Sequence, residues 1–407
     1  MMNIEQAAIL CGGMGKRLRP ITDTIPKPMV LVNGYPFLEY LFEQLKQNGI
    51  KEVILMTGYL GEKIREYFGN GSAFGLDIAY SHGPVEWQTG RRLYEAKPLL
   101  KDHFLLLYAD NFVQFNLKKL INFYQKMSKL LCFIVQSKTN GNIRLMADET
   151  VEVYDKTRFA QNLRFVELGY MLVDKNVFEY YQDIDVGFSD ILVRLVSDRQ
   201  VAGMVVEDIY HSISDPERLK LTEAYLKPKK ILLIDRDGVI NEKAPRGEYV
   251  AKWSDFQFIP VNIRGLKKLS DQGFEFIVIS NQAGIGRGIL NVETVGEINE
   301  KMRNALQKEG ICILDIYVCP HHWEDKCYCR KPNPGLFFQA SRDWLFRLDK
   351  TCFIGDDPRD CQAAYNAGTK CVFLGNTAEL CDLSKEEYPH FICDSIYDAL
   401  SYIMGNV

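Results

Sequence analysis

The run Ile231-Leu232-Leu233-Ile234 goes without a polar residue straight into Asp235-Arg236-Asp237-Gly238. A strand apolar on both faces must be covered on both sides, as in the middle of a parallel sheet, and such sheets bind ligands at the carboxyl ends of their strands. Similar runs recur at Val53–Met56, Phe104–Tyr108, Phe276–Ile279 and Thr351–Ile354, alternating with amphipathic stretches such as Ile263–Leu269. Strands alternating with helices predict an α/β protein built on parallel, doubly wound sheets. With 407 residues, against about 100–200 for a common domain, two domains are expected. Their boundary is placed at Leu226-Lys227-Pro228-Lys229-Lys230, where a basic, proline-containing stretch ends a helical pattern, which gives residues 1–226 and 229–407.

Charge narrows the partners. The net −4 is shared evenly, with 26 basic and 28 acidic residues up to 226 and 23 and 25 after it. Neither part resembles a nucleic-acid or membrane-surface binder. The first residues lack a basic segment, and Ala7–Leu10 is far shorter than a signal peptide core or a membrane span, so a cytoplasmic protein is expected. Nine of the eleven cysteines follow residue 300 without a disulfide-like framework, and apart from one cluster they read as reduced thiols. A homo-oligomer is compatible with the sequence.

Near the start, the strand Ala7–Leu10 runs into Cys11-Gly12-Gly13-Met14-Gly15-Lys16-Arg17. Glycines there let backbone N–H groups approach phosphate oxygens, while Lys16, Arg17 and Lys27 can neutralise charge. The loop lacks the Gly-Lys-Ser/Thr ending of a Walker loop, and Leu18 stands where a dinucleotide fingerprint has its third glycine. Together with Leu18-Arg19-Pro20-Ile21-Thr22 and Ile25-Pro26-Lys27-Pro28-Met29, it resembles the signature of sugar-1-phosphate nucleotidyltransferases over about residues 5–225. The resemblance implies a Rossmann-like sheet on which Gly12, Gly13, Gly15 and Arg17 hold a nucleoside triphosphate. It further implies that Lys27 binds the reacting phosphates, Asp110 a magnesium ion, Lys156 the sugar phosphate, and Glu167 and Gly169 the sugar.

Two segments depart from that family. Trp87-Gln88-Thr89-Gly90-Arg91 puts bulk and charge where small residues normally face the base and ribose. Ser212 stands where the family has its second metal aspartate, and a hydroxyl is a poorer magnesium ligand than a carboxylate. Asp208 and Asp215 are the candidates to replace it.

Chemistry is plainer after residue 230. Asp235 at a strand end can attack phosphorus to give an aspartyl-phosphate, and Asp237 can protonate the leaving oxygen and then activate water. Ser280 and Asn281, closing Phe276–Ile279, offer neutral donors to phosphoryl oxygens, and Lys331 offers a cation. Asp356, closing Thr351–Ile354, makes with Asp235 a hard oxygen site for Mg²⁺. A lone Asp-x-Asp is usually a solvated turn. Four such elements in order, each at a strand end, are not.

This constellation is similar to that of haloacid-dehalogenase (HAD)-type phosphatases. Residues 230–376 resemble the D-glycero-D-manno-heptose 1,7-bisphosphate 7-phosphatases and their histidinol-phosphatase relatives, through Asp235–Asn241, Ser280–Gly288 and Cys329–Gly335. The resemblance implies a HAD-type Rossmann-like sheet with Asp235 as nucleophile, Asp237 as acid and base, and Asp235, Asp237 and Asp356 around Mg²⁺. It implies Arg287 and Arg330 as substrate contacts. Only 42 residues separate Asp237 from Ser280, too few for a large separate cap domain.

Between these elements, Cys319-Pro320-His321-His322 and Cys327-Tyr328-Cys329 gather three thiols and imidazole within eleven residues, a spacing suited to tetrahedral structural Zn²⁺. By the same resemblance the ligands are Cys319, His321, Cys327 and Cys329, pinning a small loop that carries Arg330 and Lys331, with His322 outside.

The two resemblances together imply a bifunctional enzyme of nucleotide-heptose biosynthesis. It would take a heptose 1,7-bisphosphate to heptose 1-phosphate, then join that to a nucleoside triphosphate, GTP first, with release of pyrophosphate. Two alternatives stay open: a phosphatase whose N-terminal domain is a nucleotide-sugar sensor or oligomerisation module, favoured by Ser212, and a histidinol-phosphatase.

Overall fold

The computed structural model describes residues 2–207, 210–245 and 247–407, and the chain divides into two compact units, Met1–Ala224 and Tyr225–Val407.

In the first unit, the buried strand Gln6–Cys11 lies between Glu52–Thr57 and His103–Tyr108, parallel to both, and Asp77–His82 extends the sheet beyond Glu52–Thr57. The other half of the sheet departs from the parallel pattern. Phe165–Asp174 runs antiparallel to both His103–Tyr108 and Leu131–Ser137, which pairs in parallel with Val201–Val206. Parallel neighbours need a crossover, usually a helix. No helix lies between Leu131–Ser137 and Phe165–Asp174, only the short strands Ile143–Leu145 and Val151–Tyr154. The register of Phe165–Asp174 slips between Glu167 and Met171. Gly169 sits inside the slip at φ +77°, and a Cβ there would come within 2.7 Å of the Tyr108 ring.

The second unit is one six-stranded parallel sheet, ordered Ile313–Cys319, Glu275–Asn281, Ile231–Ile234, Cys352–Gly355, Lys370–Leu374 and Phe391–Cys393. Alternation along the central strand explains its uninterrupted apolar run. Leu232 and Ile234 enter a core with Leu266 and Leu269 of helix Pro260–Asp271 and Ile298 and Met302 of helix Val292–Lys308. Ile231 and Leu233 enter the opposite core, with Phe337 of helix Gly335–Trp344 and Ala363 of helix Pro358–Ala367. Both faces are covered, so the strand's carboxyl end is its one outlet to solvent-accessible chemistry. No helix among the described residues is long and apolar enough to cross a membrane.

Candidate active sites

Three strand ends of the second unit, those of Ile231–Ile234, Glu275–Asn281 and Cys352–Gly355, bring their side chains together around Lys331, which lies in the loop after Ile313–Cys319 and not at a strand end as expected. Asp235 follows Ile231–Ile234, and its Oδ2 is 2.9 Å from Lys331 Nζ. The buried ammonium also lies 2.8 Å from Asp360 Oδ1 and donates to the Ile279 carbonyl at 3.0 Å. Asp235, Asp356 and Asp360 each place a carboxylate oxygen within 4.8 Å of the others. Asp360 is a site residue that strand-end reading overlooks. It lies in the first turn of helix Pro358–Ala367 and its Oδ2 accepts the N–H groups of both Asp356 and Asp357 at 3.1 Å. Its signal in the sequence is the Asp357-Pro358-Arg359-Asp360 capping box.

Burial pushes the Asp235 carboxyl up to about 7, with Lys331 opposing and Asp360 and Asp356 adding to the rise. Burial likewise lifts Asp356 to about 6 against the pull of Lys243, whose Nζ is 2.6 Å away. Asp356 Oδ1 is buried with no hydrogen-bond donor. Three hard oxygen donors, one of them holding an orphaned lone-pair set, fit a divalent cation such as Mg²⁺. Gly238, at φ +87°, approaches so closely that a Cβ would stand 1.8 Å from Asp356 Oδ2.

Asp237, expected beside Asp235 among the magnesium ligands, has its carboxylate turned elsewhere and lies outside that group. Arg236 Nη2 donates to both of its oxygens at 3.1 and 3.0 Å, Asn241 Nδ2 donates at 2.9 Å and Gln282 Nε2 at 2.7 Å. Burial alone would raise its pKa, but these donors hold the carboxyl below the ordinary value. Arg236 is 1% exposed and anchored by Nη1 on Asn299 Oδ1 at 2.9 Å. Gln282 also donates to Ser280 Oγ at 2.9 Å. Asn281 grips the main chain of Lys331 from both ends of its amide, at 3.1 Å each. In this structure that amide fixes the lysine rather than pointing free donors outward.

Arg287 and Arg330 line a cavity of about 740 Å³ with Asp237, Lys243, Tyr249 and Trp323. The Arg287 guanidinium lies 5.5 Å from the Trp323 ring centre and 5.8 Å from that of Tyr249. Arg330 Nη1 is buried without a partner.

At the cysteine cluster, the three sulfur–sulfur distances among Cys319, Cys327 and Cys329 are 3.4–3.6 Å, and His321 Nδ1 is 3.1 Å from Cys329 Sγ and 3.7 Å from Cys319 Sγ. Bonds of about 2.3 Å to one tetrahedral zinc would give sulfur–sulfur edges of about 3.8 Å. The donor set and its size fit that ion. His322 points away and its Nδ1 accepts the Glu324 N–H.

In the first unit, the glycine loop, Lys16, Arg17, Lys27 and Asp110 line one cavity of about 680 Å³. Lys27 and Asp110 are ion-paired. Gly12 is packed against the guanidinium of Arg92, which a Cβ would meet at 2.3 Å. Arg92, 4% exposed, donates to the carbonyls of Thr57, Pro84, Gly83 and Gly12, so it ties the loop to two other strand ends. Trp87, Gln88 and Thr89 face the same cavity, whereas Arg91 turns to Glu95 at 2.7 Å.

A second cavity of about 810 Å³ shares Arg17, Tyr108, Asp110 and Ser214 with the first and contains Glu167. Removal from water lifts the Glu167 carboxyl to about 7, against the Gly169 N–H that donates to it at 2.9 Å. Ser212 pairs in register with Asn111, beside Asp110, and its Oγ contacts Ser214 Oγ and Arg218 Nη1. Among the described residues no three metal-ligating side chains gather at Asp110. Asp215 is bonded to Ser214 and paired with Arg218, and Asp208 lies outside the described residues. Lys156 is ion-paired with Asp190 and lines neither cavity.

Residues 6–184 match the nucleotidyl transferase family model and residues 328–399 a HAD-hydrolase-like model. A D-glycero-alpha-D-manno-heptose-1,7-bisphosphate 7-phosphatase of Photorhabdus laumondii is 38% identical over 155 residues, covering 36% of this chain and 83% of that protein. A D-glycero-beta-D-manno-heptose-1,7-bisphosphate 7-phosphatase of Haemophilus ducreyi is 34% identical over 182 residues, covering 43% of this chain and 98% of the relative. A crystal structure of a D,D-heptose 1,7-bisphosphate phosphatase from B. bronchiseptica, complexed with magnesium and phosphate, is 27% identical, with a TM-score of 0.40 over 44% of this chain and 99% of that one. With relatives of this identity matched along most of their length, the chain belongs through its second unit to the heptose-1,7-bisphosphate 7-phosphatase family, and carries a nucleotidyl transferase domain ahead of it.

Proposed function

We propose that residues 229–407 hydrolyse the 7-phosphate of a D-glycero-D-manno-heptose 1,7-bisphosphate and that residues 1–226 join the resulting heptose 1-phosphate to a nucleoside triphosphate, GTP first, in the cytoplasm. The observation that carries the hydrolytic half is the placement of Asp235 against Lys331, with their chain neighbours Asp237 and Arg330 on the wall of a cavity lined with cations.

Asp235 attacks phosphorus and the bond from phosphorus to the sugar oxygen breaks, leaving an aspartyl-phosphate. The leaving oxygen takes a proton from Asp237, whose protonated form the incoming phosphoryl dianion favours against the pull of its donors. The carboxylate so formed, in its nest of donors from Arg236, Asn241 and Gln282, then draws a proton from the water that splits the acyl phosphate. Lys331 stays paired with charge on the transferring group, oriented by Asn281. Asp235, Asp356 and Asp360 would hold Mg²⁺, which supplies charge neutralisation at the phosphoryl oxygens. Arg287 and Arg330 take the substrate's other phosphate. The reaction spares the anomeric phosphate, the nucleophile that the transfer needs.

In the first unit, the glycine loop and Arg17 hold the triphosphate, Lys27 the reacting phosphates, and Glu167 a sugar hydroxyl. Ser212 supports a second reading, in which this unit binds a nucleotide sugar without forming it. Phosphate release from heptose 1,7-bisphosphate and histidinol phosphate, followed by pyrophosphate release with each nucleoside triphosphate, tests both halves. Hydrolysis of histidinol phosphate alone would overturn the first, and nucleotide-sugar binding without pyrophosphate would favour the sensor.

A further inference from the structure

The cavity that contains Glu167 holds a group of cations that the reading so far leaves unused. Lys138 follows strand Leu131–Ser137, Arg158 lies in the loop after Val151–Tyr154, and Arg218 lies in the first turn of helix Pro216–Leu226. Three separate elements thus deliver positive charge to one wall. Their compensation inside the protein is incomplete. Arg218 reaches Asp215 at 3.5 Å and Ser212 Oγ at 3.3 Å, Arg158 donates to the Asn140 carbonyl at 3.4 Å and its charge is felt by Glu167, and with Arg17 the three make four cations against the carboxylates of Asp110, Glu167 and Asp215 on the cavity wall. Burial lowers the pKa of the Lys138 ammonium, and Arg218 and Arg158 lower it further, so the three press on one another. Arg158 holds its backbone at φ +62°, a left-handed conformation that side-chain-bearing residues rarely adopt.

Lys156, in contrast, is occupied by Asp190 and is off the walls of both cavities. The cavity opens onto the first through Arg17 and Asp110, where the triphosphate reading places the reacting phosphorus. A dianionic phosphoryl group entering it would relieve the mutual repulsion of the three cations and leave its sugar within reach of Glu167.

Resting on the transfer reading above, we infer that Lys138, Arg158 and Arg218 form the subsite for the phosphoryl group of the acceptor sugar 1-phosphate, in place of Lys156. The site takes a phosphate monoester dianion, and free phosphate is the other source of the same chemistry.

Hydrogen-exchange mass spectrometry on the full chain gives a readout local to the first unit. Heptose 1-phosphate should protect the segments around 136–160 and 210–220, and equal concentrations of unphosphorylated heptose or inorganic phosphate should not. In the K138Q/R158Q double variant this protection should disappear and KM for heptose 1-phosphate in pyrophosphate release should rise tenfold or more, with KM for the triphosphate within twofold. K156Q should behave as the wild type, and K138R/R158K should recover most of the loss. The inference is overturned if the double variant keeps wild-type protection, if K156Q alone abolishes it, if inorganic phosphate protects as well as the sugar phosphate, or if heptose 1-phosphate protects nothing. Cation-dependent protection without any pyrophosphate release would sink the transfer reading and leave the subsite standing.

Discussion

Arg236 and Asp237 are adjacent in the chain and bonded through their side chains, one guanidinium nitrogen reaching both carboxylate oxygens at 3.1 and 3.0 Å. The arginine is buried and held from behind by Asn299, so it sets the direction in which Asp237 faces. Arg236→Ala should destabilise the second unit by about 3 kcal/mol or more, because it leaves a largely buried carboxylate without its partner. Thermal melts of the zinc-loaded protein check this; an unchanged midpoint would remove the buried pair from the account.

Asp235→Asn should reduce phosphate release to below a few per cent, since an amide is a poor nucleophile, while zinc content and circular dichroism stay as in the wild type. Activity above that level in a homogeneous preparation would exclude Asp235 as the attacking group.

Elemental analysis should give about one zinc per chain. Removing it with a strong chelator, or substituting Cys327→Ser, should lower both melting temperature and hydrolysis, because the loop it closes continues into Arg330 and Lys331. Freshly purified protein free of zinc yet fully active would refute the structural site.

Glu167 titrates near 7 rather than at the ordinary carboxyl value because folding takes it out of water. Between those two pH values the folded chain binds more protons here than the unfolded one. Its stabilising share is therefore complete below about pH 4.5 and is lost as pH rises through about 7, a change on the order of 3 kcal/mol. Melts from pH 5 to 8 should show the wild type losing stability relative to Glu167→Gln. Parallel curves would refute the shift.

Lys27→Ala and Asp110→Ala should each cut nucleotide-sugar formation on the order of a hundredfold or more, because each removes charge from a phosphoryl-transfer site. Hydrolysis of the heptose bisphosphate should be untouched. Assaying phosphate and pyrophosphate release side by side separates the two effects.

Legibility in the sequence followed the range of the interactions. Asp235 and Asp356 stand at the ends of apolar runs, and the ligands around Cys319–Cys329 lie close in the chain, so their grouping could be read before folding. Arg236, Gln282 and Arg92 could not be read in this way, because each takes its meaning from a partner that only the folded chain supplies: Asn299, Asp237 and the carbonyls of three separated segments. Asp360 left a capping pattern that strand-end reasoning passes over. The antiparallel strand Phe165–Asp174 was hidden for another reason: its Leu168–Val173 stretch is buried on both faces and shows no alternation by which to judge direction. Lys156 fits its motif by spacing, yet its charge is taken by Asp190, which lies 34 residues further along.

The contact of Gly238 with Asp356 bears on how this segment can vary. Even a methyl group would overlap the Asp356 carboxylate, and the backbone angle is one that side-chain-bearing residues rarely adopt, so every replacement at this position meets the same first obstacle. Saturation mutagenesis across 235–238 should therefore give a graded series at Arg236 and a single step at Gly238. The distance between the two aspartate-bearing loops is set there by the absence of an atom, and any side chain at this position would have to turn the Asp356 carboxylate out of its place.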